Sequence, residues 1–507
     1  MKNGSVIDYG EAVVIYYVLI SGIPCFIIPC CLLIYIIYTE SLNMTSNRHA
    51  HLDDPGREKW EGFPLGTKAA AGILGIYKNK SYKVKQQSFY HLSFLNIPPK
   101  WNKGGGAAAN HHSRHSTTGT SSFFNTCFNG LNALSGVGIL SVPYALASGG
   151  WLSLLLLFTT AISTFYTGLL IKRCMDTDPT IRSYPDIGDR AFGRTGRVIV
   201  SVTVNIELYL VATGFLILEG DNLSNLFPEM DFDLYGIHVE SKKIIVIVVA
   251  AIILPTIWLN NISILSYISA SGVLALLIIL GSILWVGEFD GVGFQEKGEV
   301  INWKGMPSAI SLYAFCYCAH PLFPTLYTSM RNQHQFSKVL LVCFVLCTIT
   351  YSSMAVVGYL MFGSHVESQI TLNLPTDKIS SRVAICTTLV NPIAKYALTV
   401  TPIVNAIEER FLCNARKFSL LMRTTLVIST VVVALALPFF GYLMSLVGAF
   451  LSVTTSIILP SVCYLMISDT YKIFGYEVVL IGFIMVIGIL VAVVGTYTSL
   501  ADIARNI

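Results

Sequence analysis

Two ionisable side chains stand where a bilayer makes them expensive. Lys395 lies in the middle of the apolar run from Val383 to Ile407, and Glu207 lies well inside the run from Val198 to Glu219. An ammonium at the centre of a membrane helix costs about 2.5 kcal/mol or more, so Lys395 is expected to face a bundle interior and to have a task there. Snorkelling is the alternative, but roughly twelve residues to either end of the run is about 18 Å, too deep for easy escape. Glu207, with Tyr209 near it, is a candidate proton carrier or a partner for Lys395; a carboxylate at a helix end is the blander reading. His320 ordinarily titrates near neutral pH, but beside Pro321 it could equally satisfy broken backbone.

The backbone offers a second chemistry. The run Asn125 to Ala145, NTCFNGLNALSGVGILSVPYA, is long enough to cross a membrane, yet it carries Asn125, Asn129, Asn132 and Pro143, and its middle reads Ser135-Gly136-Val137-Gly138. Glycine weakens a helix and opens conformations closed to other residues. Amides freed by such a break are tolerated in hydrocarbon only around a protein-lined or wet cavity, so a broken helix at a binding site is expected. A small-residue packing face is the alternative. N–H groups from Ser135 to Ile139, with the positive end of the following half-helix, can hold a carboxylate, and carbonyls ending the preceding half-helix can hold an ammonium. In the run Met306 to Tyr327, MPSAISLYAFCYCAHPLFPTLY, Pro321 removes a donor and disfavours helix at His320, so a second break is expected midway.

These groups must be positioned by membrane helices. The chain is 53% hydrophobic and 12% charged, far more apolar than a soluble domain, and its net charge of +4 gives no footprint for nucleic acid. About eleven spans follow residue 121, near 122–147, 150–171, 198–219, 244–259, 262–286, 306–327, 336–362, 383–407, 424–440, 442–467 and 478–500. They compose a domain over 121–500: a first repeat at about 121–286, a second at about 305–467, and a last helix at 478–500. The broken helices stand first in each repeat, the pattern of inverted-repeat transporters with a midplane site. Residues 1–40 hold an extra hydrophobic segment, Val13 to Tyr38, and 41–120 read as a cytosolic, disordered linker. His111, His112 and His115 belong to that low-complexity stretch, which favours a solvated tail over a metal site.

Basic joints set the expected orientation. Lys172, Arg173, Arg182, Arg190, Arg194 and Arg197 after the second span, and Arg410, Arg416, Lys417 and Arg423 after the eighth, lie on one side, taken as cytosolic. Opposite are Asp221, Glu229, Asp231, Asp233, Glu288 and Asp290. The twelve cysteines fall mostly within apolar runs without ligand spacing, so packing roles are expected, with no metal and no cofactor.

The run Asn132 to Leu140, followed by Pro143-Tyr144 and Gly149-Gly150-Trp151, resembles the first-helix signature of the amino acid/auxin permease family. The runs Leu218-Glu219-Gly220-Asp221-Asn222-Leu223 and Asn391 to Thr399 resemble its vacuolar amino acid transporter-like subgroup of plant and yeast type. The similarity covers about residues 121–500. The resemblance implies that the two broken helices line a substrate site, expected at Asn132, Ser135, Gly136, Val137, Gly138, Tyr313, Phe315, Tyr317 and His320. In sodium-coupled members the positions similar to Asn132 and Thr399 help to hold the cation. Lys395, one turn from Thr399, would compete with Na+ there, so coupling by protons through Glu207, Lys395 and Thr399 is expected.

The expectation is an all-α integral membrane protein with about eleven transmembrane helices in a five-plus-five inverted repeat (LeuT-like, APC-type), helices 1 and 6 discontinuous, and one extra N-terminal segment. It would be a secondary active transporter of amino acids working by alternating access. Its partners would be an amino acid, protons and the lipid bilayer. An amino acid sensor with little flux, or a carrier of another small solute such as auxin, are the alternatives. No enzyme is expected, and Gly193-Arg194-Thr195-Gly196 lacks the Gly-Lys-Ser/Thr ending of a nucleotide loop. The membrane expected first is the vacuolar one, with the plasma membrane second.

Overall fold

The first apolar run is interrupted where its glycines stand. Helix α1, Phe123–Leu134, starts at Ser122, whose hydroxyl accepts from the Asn125 amide, and ends at Ser135. A 3-10 turn, Val137–Leu140, then leads into α2, Val142–Gly149. This computed structural model describes residues 119–227, 232–234, 237–258, 262–411, 416–469 and 475–506. The expected segment from Val13 to Tyr38, and the linker as far as residue 118, lie outside the described residues.

Neither Gly136 nor Gly138 adopts a positive φ, so the unusual conformation expected of them is not used. Close approach requires Gly138: a Cβ there would stand 2.9 Å from Cys316 Sγ and 3.3 Å from Cys316 Cα. Gly136 faces open space, with nothing nearer than 4.0 Å to its added Cβ.

Helix α3, Ser153–Thr177, is followed by α4, Tyr184–Leu226. Ser183 and Asp186 close a reciprocal capping box at the start of α4. Gly193, at φ 65°, turns α4 sharply, and a Cβ on Gly196 would lie 2.1 Å from the Gly188 carbonyl oxygen. The glycines of the 193–196 run therefore make a helix corner. Beyond the corner α4 continues two turns past the expected end, so Glu219 and Asp221 lie within the helix. A small antiparallel hairpin, β1 Phe232–Leu234 and β2 Ile237–Val239, is the one departure from helix-only structure among the described residues. Helices α5, Ser241–Trp258, and α6, Ile262–Phe289, follow.

Helix α7, Met306–Cys316, stops before Pro321, which cannot donate to the Tyr317 carbonyl four residues back. A 3-10 turn, His320–Leu322, leads into α8, Phe323–Ser329. Next come α9, Phe336–Phe362, on its expected bounds, α10, Ile379–Phe411, and α11, Arg416–Ala436. Arg416, Lys417 and Arg423, expected in a joint, thus belong to α11, and buried Arg423 donates to the Ile257 carbonyl at 3.2 Å. Helix α12, Phe440–Leu446, passes through the π-helical stretches Val447–Ser452 and Thr454–Ile458 into α13, Leu459–Ser468, and α14, Tyr476–Asn506, ends the described chain.

Nine helical stretches among the described residues are long and apolar enough to cross a membrane; the two interrupted runs are additional to these. Phe483, Val486, Leu490, Val493 and Tyr497 form an exposed apolar stripe along α14, while Ile481, Ile484, Gly488 and Val491 face inward. Such an outer face suits hydrocarbon and not water.

The two broken helices run antiparallel, clasped at both ends. At one end the Ser121 amide donates to Ser329 O at 2.9 Å and the Arg331 amide to Ser121 O at 3.0 Å, joining the start of α1 to the end of α8. At the other, the Asn302 amide donates to Gly149 O and the Trp151 amide to Glu299 O, both at 3.0 Å, joining the end of α2 to the chain just before α7. Near the first end Tyr327 of α8 donates to Asp176 of α3 at 2.6 Å, and Arg173 of α3 pairs with Glu477 of α14.

Candidate substrate and coupling site

Lys395 projects from α10 onto the end of α1. Its ammonium donates to the carbonyls of Asn132 and Ser135, each at 3.1 Å. These are carbonyls at a helix C-terminus, where the backbone leaves acceptors unpaired and the dipole favours a cation. The sequence reading reserved them for a substrate ammonium; the chain supplies its own. Lys395 is half-buried, and two of its three donors are used this way. Asn132 packs on Gly272 of α6, where an added Cβ would lie 2.2 Å from Asn132 Oδ1 and 3.7 Å from Asn391 Oδ1. Thr399 donates to the Lys395 carbonyl at 3.0 Å, an intrahelical bond that leaves its hydroxyl oxygen able to accept.

A residue the sequence reading missed ties the two breaks together. Buried Tyr351 of α9 donates to Leu134 O at 2.6 Å and lies 3.3 Å from Cys316 O, so one hydroxyl serves the ends of α1 and α7. A tyrosine in the middle of an apolar span was the available signal, since its buried hydroxyl needs a partner. Tyr351→Phe leaves the Leu134 carbonyl without this donor and is expected to destabilise the protein by about 1–3 kcal/mol. Thermal unfolding in detergent reads this, and an unchanged midpoint would count against the pin.

Of the amides expected to be free, two are taken: Ser135 N donates to Leu131 O at 2.7 Å and Gly136 N to Leu134 O at 2.9 Å. No side chain caps the start of the following turn, so its leading amides, those of Val137 and Gly138, are the ones a helix start leaves without an intrahelical partner.

The remaining expected residues are spread over four neighbourhoods. Tyr317 sits beside the pin, its ring edge-on to Tyr351 and stacked on Phe344, with its hydroxyl 2.9 Å from Thr348 Oγ1. Tyr313 reaches the start of α3, 3.2 Å from Ser153 Oγ, and Phe315 packs on Gly448 of the π-helical stretch. Fully buried His320 lies against α3, with Nε2 2.9 Å from Thr164 O and 3.0 Å from Thr167 Oγ1. A carbonyl can only accept, so Nε2 carries the hydrogen. His320 thereby anchors the second break to α3, and Thr167 extends the chain to Ser456 O at 2.6 Å.

Glu207 occupies yet another place. It accepts from Ser452 Oγ at 2.7 Å and Thr455 Oγ1 at 3.0 Å, both in the π-helical region. It is buried. Lys395 takes its acceptors from α1, so the alternative in which Glu207 pairs with Lys395 is not the arrangement found. The two groups serve different places, Lys395 the first break and Glu207 the π-helical stretches.

Residues 119–501 match the family described as transmembrane amino acid transporter protein. The chain belongs to that family. Among its relatives, amino acid transporter AVT1I of Arabidopsis thaliana is 58% identical over 401 residues, 78% of this chain and 99% of the relative. Amino acid transporter AVT1J of the same plant is 62% identical over 389 residues, 76% of this chain and 92% of the relative. A solved structure of a Na+-coupled sialic acid symporter covers 74% of this chain and 89% of its own at 11% identity and a TM-score of 0.45, a likeness too slight to bear on the argument. The transmembrane amino acid transporter family agrees with the resemblance read from the Asn132 to Leu140 and Asn391 to Thr399 runs, and it is a family of transporters rather than enzymes. The protein is thus a multi-pass membrane protein.

Proposed function

We propose that this chain carries amino acids across a membrane by alternating access, driven by protons, with eleven spans arranged as two inverted repeats and a last helix. One observation carries the reading. An internal ammonium sits on the open end of a broken helix, at the place where the resemblance to sodium-coupled relatives puts their cation. The antiparallel pairing of the two broken helices supports the inverted repeat, because the first helix of each unit then enters from opposite sides.

In this reading the substrate carboxylate lies against the Val137 and Gly138 amides and the third donor of Lys395, with Gly136 leaving room for it. Carbonyls of the breaks not used by Lys395 or Tyr351 remain for the substrate ammonium. Asn132, Ser135 and Tyr317 border that space, Thr399 supports Lys395, and Glu207 carries the proton against the π-helical stretches. The relatives named as amino acid transporters favour that substrate class. The vacuolar membrane is the proposed location, on the subgroup resemblance.

The test is uptake of labelled amino acids into proteoliposomes with and without a pH gradient. Concentrative uptake only with the gradient is expected. Binding without flux would turn the reading into that of a sensor, and auxin uptake in place of amino acid uptake would change the substrate.

A further inference from the structure

Helix α4 carries a second buried carboxylate that the coupling above does not use. Glu219 is fully buried, and neither of its carboxyl oxygens has a hydrogen-bond partner. The contrast with Glu207 on the same helix is direct, since Glu207 accepts from two hydroxyls. Burying a charged carboxylate with no donor or cation is costly by several kcal/mol, so the arrangement is compatible with a protonated carboxyl and hostile to a bare anion.

The surroundings explain how that could change during a transport cycle. One turn further on, Asn222 donates to Gln369 Oε1 at 2.6 Å. Gln369 in turn donates to Asp221 Oδ2 at 2.9 Å, Asp221 pairs with Lys242, and Lys242 donates to Pro438 O at 2.7 Å. Gln369 belongs to the segment 363–376 between α9 and α10, which this chain of bonds latches onto α4 next to Glu219. The same segment and the first broken helix pack on one patch of α9: a Cβ on Gly358 would meet Ile370 Cδ1 and Pro143 Cβ, both at 2.6 Å. The segment and α2 thus share a packing site on α9, which gives movement of α2 a route to the segment and to the cover over the α4 end. Asn222 Oδ1 and Thr371 Oγ1, on the two sides of the latch, are also buried without partners.

We infer that Glu219 is a second proton-binding site of the transport cycle, shut in by segment 363–376 in this conformation and opened to water when the segment lifts. The inference rests on the proton-driven reading above. The charged and titratable groups around the α4 end are otherwise engaged or outward. Asp221 and Lys242 pair with each other. His365 and Glu367 of the segment are exposed, Lys378 of the turn before α10 pairs with Asp377, and Arg382 of α10 donates to Thr376 O at 2.7 Å. Helix α12 offers Tyr442, and the last turns of α11 carry no titratable side chain. None of these is bonded to the Glu219 carboxyl, both of whose oxygens lack a hydrogen-bond partner.

The experiment uses the full chain in proteoliposomes, measuring amino acid counterflow across a series of pH values and, with a trapped pH dye, protons moved per substrate. Glu219→Gln keeps the shape of the protonated acid. It is expected to continue exchange while losing its pH dependence and lowering the proton-to-substrate ratio. A wild-type pH profile and ratio in Glu219→Gln would overturn the inference and leave proton-driven transport standing. Absence of substrate-linked proton movement in the wild type would overturn both. Glu219→Asp retains a titratable group one methylene shorter, and is expected to keep coupling with a displaced pH profile; should Glu219→Gln fail to fold, a wild-type profile in Glu219→Asp would overturn the inference.

Discussion

Lys395→Ala is expected to abolish gradient-driven accumulation of substrate. The ammonium holds two carbonyls at the open end of α1, and an unsatisfied buried acceptor costs about 1–3 kcal/mol, so the break loses the cation that keeps it open. Substrate also loses the third donor of that ammonium. Counterflow exchange, which needs only a site and its alternation, should fall less than accumulation does. The two assays run side by side in liposomes separate the roles. Accumulation by Lys395→Ala on a proton gradient as strong as that of the wild type would show that Lys395 is structural. Residual exchange that responds to added Na+ would identify the Asn132 and Ser135 carbonyls as cation ligands in the variant.

The second large effect is expected from Gly138→Leu. Even a single Cβ at this position meets Cys316 Sγ at 2.9 Å, so a leucine has to displace either the end of α7 or its own turn. Overpacking of this kind costs about 1–3 kcal/mol. Because the displaced groups are those proposed to hold substrate, most of that cost should appear in binding, a fall in affinity of roughly ten- to a hundredfold. Gly136→Leu is a useful companion, since it projects into open space and would occupy the site without moving α7. Equilibrium binding of labelled amino acid to purified protein measures both. Unchanged affinity in Gly138→Leu, with the protein inserted, would remove the break from the binding site.

Both breaks were legible in the sequence because glycine and proline act on their own backbone: Gly136 with Gly138 mark the first, and Pro321, which leaves the Tyr317 carbonyl without its helical donor, marks the second. Lys395 was legible as a charge requiring a partner. Its partners were not, because main-chain carbonyls look alike in every residue and only the fold selects those of Asn132 and Ser135. The pairing imagined for Lys395 and Glu207 matched their charges and ignored their placement, while Ser452 and Thr455, ordinary hydroxyls in an apolar run, proved to be the donors for Glu207. Glu219 was read as lying at a helix end because the apolar run stops there. The helix does not: it runs on to Leu226, and Asn222 in that extension bonds to Gln369 of the 363–376 segment. Tyr313, Phe315 and His320 share the broken span, but helical rotation and the turn after Cys316 send them to different neighbours.

The donor that completes α1 lies 263 residues from Asn132 and 260 from Ser135 along the chain. A ribosome that has just delivered α1 and α2, of 12 and 8 residues, has delivered two half-helices each too short to span a bilayer alone, with their broken ends still lacking Tyr351 and Lys395. Hydrocarbon does not tolerate those carbonyls bare. During biogenesis the first span must therefore wait, kept wet or shielded by the insertion machinery, until α9 and α10 have been made, and the earliest part of the transporter domain to be synthesised is among the last to settle.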